Sequence, residues 1–385
     1  MPGGSENAGR LAEVRAAAVV ATFLRGPTGW PYLLTPLIPI AIVLELAGSP
    51  ATLVFATSAL GIVPTAALMG RATEELAARS GPGIGGLLNV TFGNAPELII
   101  ALFALGQGLH EVVKASIIGS IIGNILLVLG AAMLAGGLGR EKQVFSRTSA
   151  SVQTSMLLLA AAALLMPAIF ELVEGQGLPR PGAEVVHYGS TVEHLSLAVA
   201  VVLIATYVLG LLFSLRTHRD IFNPEYGDED SWGWSVRTSV IALAIAGVLV
   251  GVMSEVLVGS ISEASHSAGL SEFFIGVIVV AIVGNAAEHW VAVLVAMKNK
   301  MDLAVNIAIG SSAQVALFVA PVLVLASFFL GPHPLALVFN GFELGALLLA
   351  VLIANYVTQD GESTWFEGAQ LLAVYLVFGI AFYYA

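Results

Sequence analysis

Along most of this chain apolar residues continue for twenty or so positions without a polar stripe, and short charged or Gly/Pro-containing breaks separate the runs. A helix that is apolar all round is either enclosed in a large core or surrounded by lipid, and about 20 such residues cross the hydrocarbon of a bilayer. The pattern predicts an all-α polytopic membrane protein of eleven transmembrane helices, at residues 31–48, 51–70, 84–107, 113–138, 148–170, 190–215, 234–259, 271–297, 302–329, 333–356 and 364–384. Residues 1–30 are polar, Gly-containing and carry three arginines, so they read as a cytosolic tail and not as a secretory signal.

Composition strengthens the membrane reading. Only 11% of the 385 residues are charged, 57% are hydrophobic and the mean hydropathy is +0.91, whereas a soluble domain carries about 25% charged residues. The absence of cysteine rules out disulfides, thiolate metal ligands and cysteine nucleophiles. Much of the net charge of −11 lies in one run, Glu225 to Asp230, and in carboxylates inside apolar segments. Lys and Arg accumulate in cytoplasmic loops. With the N-terminus inside, all of the 15 basic residues except Lys114 and Arg180 fall on the cytoplasmic side, which places the C-terminus outside. The membrane expected is a prokaryotic plasma membrane, although a vacuole-type membrane gives the same signal.

Two stretches resemble each other. Gly93-Asn94-Ala95-Pro96-Glu97 lies in the third predicted span and Gly284-Asn285-Ala286-Ala287-Glu288 in the eighth, 191 residues later. Weaker similarity follows, with Ser120 and Asn124 corresponding to Gly310 and Gln314. Five spans separate the copies, so they enter the membrane from opposite sides, as in the inverted repeats of secondary transporters. The expected organisation is a tail (1–30), an extra first helix (31–48), a first five-helix repeat (49–215), an acidic cytosolic linker (216–233) and a second five-helix repeat (234–385). The linker run Asn223 to Asp230 reads first as a solvated connection, and its charge would also attract cations.

A carboxylate at membrane depth is costly and usually marks an ion path or proton relay. Glu97 and Glu288 are the main candidates, each three residues after an asparagine, a spacing that puts amide and carboxylate on one helical face. Glycine and proline beside them suggest helices that bend or break around a cavity. A Ca²⁺ ion takes 6–8 oxygens, from carboxylates, amides, carbonyls or water, and two glutamates would neutralise it. The candidate metal-binding set is therefore Glu97, Glu288, Asn94, Asn285, Ser120, Asn124 and Gln314. Ser120, Asn124 and Gln314 serve equally well as helix-packing contacts. Two close carboxylates in apolar surroundings hold protons when no cation is bound, so Glu97 and Glu288 are also the candidates for proton coupling, with His289 as a tuning or relay residue. Glu74, Glu75 and Glu255 occur in the spans preceding the two motifs and are candidates for an access path; carboxylates at helix ends are otherwise solvated.

At these residues the chain resembles the cation/proton exchanger (CAX) family of the calcium/cation antiporter superfamily. The stretches that carry the resemblance are Gly70 to Ala77, Gly85 to Ile99 and Val283 to Pro321. The resemblance implies a single helix plus two inverted repeats of five, joined by an acidic segment, with Glu97 and Glu288 binding Ca²⁺ and protons alternately while the helices before each motif swing. The acidic run here, Asn223 to Asp230, is short, with four acidic residues. Sodium/calcium exchangers of the same superfamily have more hydroxyl residues beside the first glutamate; Gly93 and Asn94 stand there in this chain, which favours proton coupling.

The expected activity is secondary active antiport of cytosolic Ca²⁺ against protons by alternating access, with no cofactor and with Ca²⁺, protons and the lipid bilayer as partners. Exchange of Na⁺, K⁺ or Mn²⁺ for protons, or of Na⁺ for Ca²⁺, is the alternative on the same scaffold. No channel filter or nucleophile elbow is recognisable, and Ser265-His266 lies at a helix end without zinc-ligand spacing, so an enzyme is not expected. Nothing points to nucleic acid, and the sequence leaves open self-association into a homo-oligomer.

Overall fold

The computed structural model describes residue 26 and residues 28–183, 188–217 and 233–385. Most of the predicted tail and the whole Glu225 to Asp230 run therefore lie outside the described residues. A 3₁₀ turn, Trp30–Leu34, leads into α1 (Leu37–Leu46), followed by α2 (Ala51–Gly93) and α3 (Ala95–Gly106). Next come α4 (His110–Gly137), α5 (Arg147–Val173), α6 (Ser190–Leu212), α7 (Val236–Ala268), α8 (Glu272–Met297) and α9 (Met301–Ser327). The chain ends with α10 (Gly341–Val357) and α11 (Trp365–Tyr384). Among the described residues 8 helical stretches are long and apolar enough to cross a membrane; α1 with its 3₁₀ turn, α3 and α10 are shorter apolar helices. The only strands in the described residues are the antiparallel pair β1 (Gln143–Val144) and β2 (Glu362–Ser363).

The sequence places a break between residues 70 and 84, yet α2 keeps its helical assignment from 51 to 93. It is not straight. A Cβ on Gly85 would meet the Ala77 carbonyl carbon at 3.0 Å and the Ala77 Cα at 3.2 Å, whereas residues eight apart in a straight helix are separated by about 12 Å. The chain doubles back here, which only a residue without a side chain permits at such a distance.

The interruption itself falls later, inside the predicted third span. Asn94 leaves the helical region (φ −92°, ψ 14°) and α3 restarts with Pro96 in its first turn. Proline has no N–H to donate and disfavours helical backbone in the residue before it. At the matching place in α8 stands Ala287, and Ala281–Met297 runs through the motif as unbroken α-helix. The expectation of a bend beside both glutamates is therefore corrected: only the first motif is broken. α8 departs from α-helix one turn earlier, in a π segment at Ile275–Val280, and α4 and α9 carry π segments at Gly123–Val128 and Val315–Val319.

The connections gather on two opposite faces. On one, Gln143 Nε2 donates to Ala296 O at 2.9 Å and to Asn299 Oδ1 at 3.0 Å, Lys142 meets Glu362 at 2.6 Å, and Arg140 Nη2 donates to Met297 O at 3.0 Å. Asn299 takes φ 61° in the α8–α9 turn, a left-handed conformation that asparagine tolerates better than most residues. On the other face, the buried Lys114 donates to Val338 O at 2.6 Å and lies 5.7 Å from the Tyr188 ring centre, and Glu111 accepts from Gly182 N at 2.7 Å. The buried segment Leu335 to Asn340 between α9 and α10 is held by Lys114 at Val338 O and by Ser327 and Ser196, which accept from Leu335 N and Leu337 N.

Inside lipid no hydrophobic drive pulls helices together, so association depends on close packing by small residues. α4 crosses α8 in this way: a Cβ on Gly119 would lie 2.8 Å from Val277 Cα, and one on Gly276 would lie 2.8 Å from Ala115 Cβ. Gly119→Leu has no room at this crossing, and overpacking of this kind costs about 1–3 kcal/mol; the expected outcome is a lower unfolding temperature in detergent than for the wild type or for Val248→Leu on the exposed side of α7.

Candidate cation site

Glu97 sits in the first turn of α3 because Pro96 starts that helix, and Glu288 sits midway along α8. The two asparagines of the motifs do not serve the carboxylates of their own motifs. Asn285 Nδ2 donates to Glu97 Oε1 in a short hydrogen bond, and lies 3.2 Å from Ser120 Oγ and 3.0 Å from Ala281 O. Asn94 Nδ2 donates to Gln314 Oε1 at 2.6 Å, while Ser311 Oγ lies 2.9 Å from Asn94 Oδ1 and 3.0 Å from Glu288 Oε2. The three-residue spacing puts each amide on the face of its own carboxylate, and the hydrogen bonds run from that face across the site. At Asn94 the break accounts for this, since the amide leaves the helix that carries Glu97; Asn285 shares an unbroken helix with Glu288 and still turns to Glu97.

The glycines cross in the same manner. A Cβ on Gly93 would lie 3.2 Å from Glu288 Oε1, and one on Gly284 would lie 3.2 Å from Glu97 Cγ. Each glycine makes room for the carboxylate of the other motif. His289 Nε2 is 3.1 Å from Asn124 Oδ1, on the π segment of α4. Glu97 Oε2 and Asn124 Nδ2 are buried and without a hydrogen-bond partner. A buried polar atom left in this way costs about 1–3 kcal/mol; of the two, Glu97 Oε2 can take a proton or face a cation, whereas Asn124 Nδ2 is a donor only.

The glutamates differ in access. Glu288, Gln314, Gly93 and Gly284 line a cavity of about 440 Å³ that continues past Asn306 to Arg71 and Glu74. Glu97 instead borders a void of about 10 Å³ with Ser116 and Ser120, space for about one water. Among the described residues no three His, Asp or Glu side chains form a metal-holding group, so any cation bound here would take amide, hydroxyl or carbonyl oxygens besides the two carboxylates.

The structure brings Glu97, Glu288, Asn94, Asn285, Ser120, Asn124, Gln314 and His289 into this one region. The three access candidates separate. Glu74 lines the cavity, 49% exposed, 3.2 Å from Arg71. Glu75 is buried, meets Arg71 at 2.9 Å and accepts from Trp234 N at 3.1 Å, so it holds the start of α7. Glu255 is exposed on α7 and lines neither cavity, because Met253 and Ser254 take the buried side of that turn. Sequence reasoning left Ser311 out of the ligand set and did not consider Gln153 or Asn306. The signal was the spacing of Asn306, Gly310 and Gln314, each four residues apart on one face of α9.

A bundle of membrane-length helices closed around two carboxylates is the architecture of ion-transporting membrane proteins. The chain belongs to the sodium/calcium exchanger protein family, whose pattern matches residues 50–216 and 238–384. It is 47% identical over 351 residues to a Ca²⁺/H⁺ antiporter of Aphanothece halophytica, covering 86% of this chain and 90% of that protein. It is 45% identical over 368 residues to a Ca²⁺/H⁺ antiporter of Synechocystis sp., covering 90% and 95%. The solved structure of native YfkE superposes with a TM-score of 0.78 at 39% identity, covering 92% of this chain and 100% of that one. The resemblance to the cation/proton exchangers read from the sequence is borne out.

Asn285→Leu removes the amide donor to Glu97 Oε1 and leaves Ser120 as the remaining polar neighbour of a carboxyl whose Oε2 is already without a partner. A loss of about 1–3 kcal/mol is expected, measured as a lower thermal midpoint in detergent, and larger than for Ser116→Ala nearby.

Proposed function

We propose that this protein is a Ca²⁺/H⁺ antiporter in which Glu97 and Glu288 bind either one Ca²⁺ or protons. The observation that carries the reading is the crossed network, in which each motif's glycine makes room for the other motif's glutamate, Asn285 donates to Glu97 directly and Asn94 meets Glu288 through Ser311. The relatives named Ca²⁺/H⁺ antiporters support it. Asn94, Asn285, Ser120, Asn124 and Gln314 supply neutral oxygens around the ion, and His289 tunes proton exchange from beside Asn124. Glu74 stands at the cation entrance, Glu75 steadies α7, and Glu255 is left out of the site.

Hydrogen counting supports a protonated state. Ser311 has one hydroxyl hydrogen and faces two acceptors, Asn94 Oδ1 and Glu288 Oε2. The network closes if Ser311 donates to Asn94 while a protonated Glu288 donates to Ser311. Arrival of Ca²⁺ from the 440 Å³ cavity would then displace that proton.

The same reading takes the eight long and three shorter apolar helices as eleven spans, with a first helix outside two inverted repeats of five. The two stretches of family similarity, 50–216 and 238–384, support repeat boundaries at 49–215 and 234–385, joined by the acidic linker at 216–233. The cavity opens toward Arg71, on the side assigned to the cytosol by the basic-residue bias, so this form would load cytosolic Ca²⁺.

Ca²⁺ uptake into inverted vesicles under an imposed pH gradient tests the proposal. Glu97→Gln and Glu288→Gln are each expected to reduce uptake to the level of empty vesicles, and normal uptake by both would remove the central claim. Uptake driven by Na⁺ alone would indicate Na⁺/Ca²⁺ exchange, and proton movement with Na⁺, K⁺ or Mn²⁺ but not Ca²⁺ would change the cargo. Competition for one site also fixes a sign: lowering pH on the Ca²⁺-loading side raises the KM for Ca²⁺, by up to about tenfold per unit where one proton is displaced, with the maximal rate preserved at saturating Ca²⁺.

A further inference from the structure

The two glutamates meet open space on opposite sides of the site. α4 and α8 run from the face of Lys114 and Val338 toward the face of Arg140 and Met297, and α9 runs back again. A Cβ on Gly108 would lie 2.9 Å from Pro332 Cγ, so α3 also ends on the Lys114 face. The small void beside Glu97 is bordered by Ala101 of α3, Ser116 of α4, Val280 of α8 and Val319 of α9. Each of these lies nearer the Lys114 face than Glu97, Ser120, Asn285 and Gln314, the groups that the same helices bring to the site. The large cavity follows Val291, Leu294 and Asn306 toward the other face. Glu288 lines the cavity and not the void, and Glu97 lines the void and not the cavity. By the basic-residue bias the Lys114 face is the outer one.

The void has the chemistry of a water site. Glu97 Oε1 is taken by Asn285, which leaves Oε2, buried and without a partner, for an occupant of the void. Ser116 gives its hydrogen to Val113 O at 2.8 Å, so its oxygen remains free to accept. Ser120 Oγ receives Asn285 Nδ2 at 3.2 Å, which leaves its own hydrogen to donate. A buried water needs 2–4 polar partners and space for about one probe sphere; the void offers three such groups and about 10 Å³. A Ca²⁺ ion takes 6–8 oxygens, and the remaining lining is apolar, so this space suits water and not the cation.

We propose that the void is a single-water site through which Glu97 exchanges its proton with the outer side, with Ser116 as the positioning residue of that water, while Ca²⁺ loads past Glu288 from the inner side. The inference rests on the reading of the two glutamates as carriers of Ca²⁺ or protons. The step needs no other reactant: the water hands one hydrogen to Glu97 Oε2 and takes a proton from the outer side, one O–H bond breaking as another forms. Ser116, at 9% exposure, acts only through the water it holds.

The test uses the full-length protein in proteoliposomes and compares two rates. One is Ca²⁺ uptake driven by a pH gradient; the other is ⁴⁵Ca²⁺/Ca²⁺ self-exchange without a gradient, in which neither glutamate has to take up a proton. Ser116→Val and Ser116→Thr have the same shape and differ in the hydroxyl. The valine variant is expected to lose about tenfold or more in the maximal rate of proton-driven uptake, as for removal of a positioned proton-transfer group, with self-exchange and the KM for Ca²⁺ within twofold. The threonine variant should stay within twofold of wild type in both assays. If neither folds, Ser116→Ala is read in the same two assays and is expected to slow uptake relative to self-exchange. Equal uptake by the valine and threonine variants, self-exchange slowed as much as uptake, or an unchanged ratio in the alanine variant would overturn the proposal. Absence of Ca²⁺ movement by the wild type in both assays would instead remove the antiport reading itself, so the two failures are distinguishable.

Discussion

Two carboxyl groups enclosed among apolar helices must have their oxygens met by protein, by a proton or by a cation, because charge is poorly tolerated there. Much of the centre of this molecule follows from that demand. Asn285 reaches Glu97 and Ser311 reaches Glu288. Gly93 and Gly284 remain without side chains because the opposite carboxylates occupy the adjoining space. Asn285 on Glu97, and Asn94 on Ser311 beside Glu288, tie the two motifs to α8 and α9.

The network is not symmetrical. The first motif is broken at Asn94 and the second runs as continuous helix, a difference that traces to Pro96 against Ala287. Glu288 faces a cavity wide enough for an ion with part of its water, and Glu97 adjoins space for about one water. The α2–α3 junction is therefore a point where the chain changes direction inside a span, which α8 does not share at its own motif. α8 is fixed at its end by Gln143 and Arg140, which occupy the carbonyls of Ala296 and Met297. The result is a continuous element and a broken one beside the two glutamates.

The sequence made the helical, membrane-embedded class legible because lipid leaves little alternative to long apolar helices. It also singled out Glu97 and Glu288, since carboxylates are conspicuous in apolar runs. Residues 70–84 were less legible: the pattern suggests a break, while the backbone stays helical and doubles back where Gly85 meets Ala77. Glu75 and Glu255 read alike on the page, yet one is clamped to Arg71 and Trp234 and the other is exposed on α7. Helical periodicity specifies which residues share a face; it does not specify what that face meets.

What the sequence determined by itself, then, was the number of apolar runs, the repeated motif and the identity of the buried charged groups, all properties of local composition and spacing. The tertiary structure alone decided which side chains are partners. Asn94 lies three residues from Glu97 and serves Ser311 and Gln314; Gln153 lies far from either motif and stands against Gly310. Such pairings depend on how helices cross, and crossing is set by glycine contacts such as Gly119 on Val277, between residues that no local pattern connects.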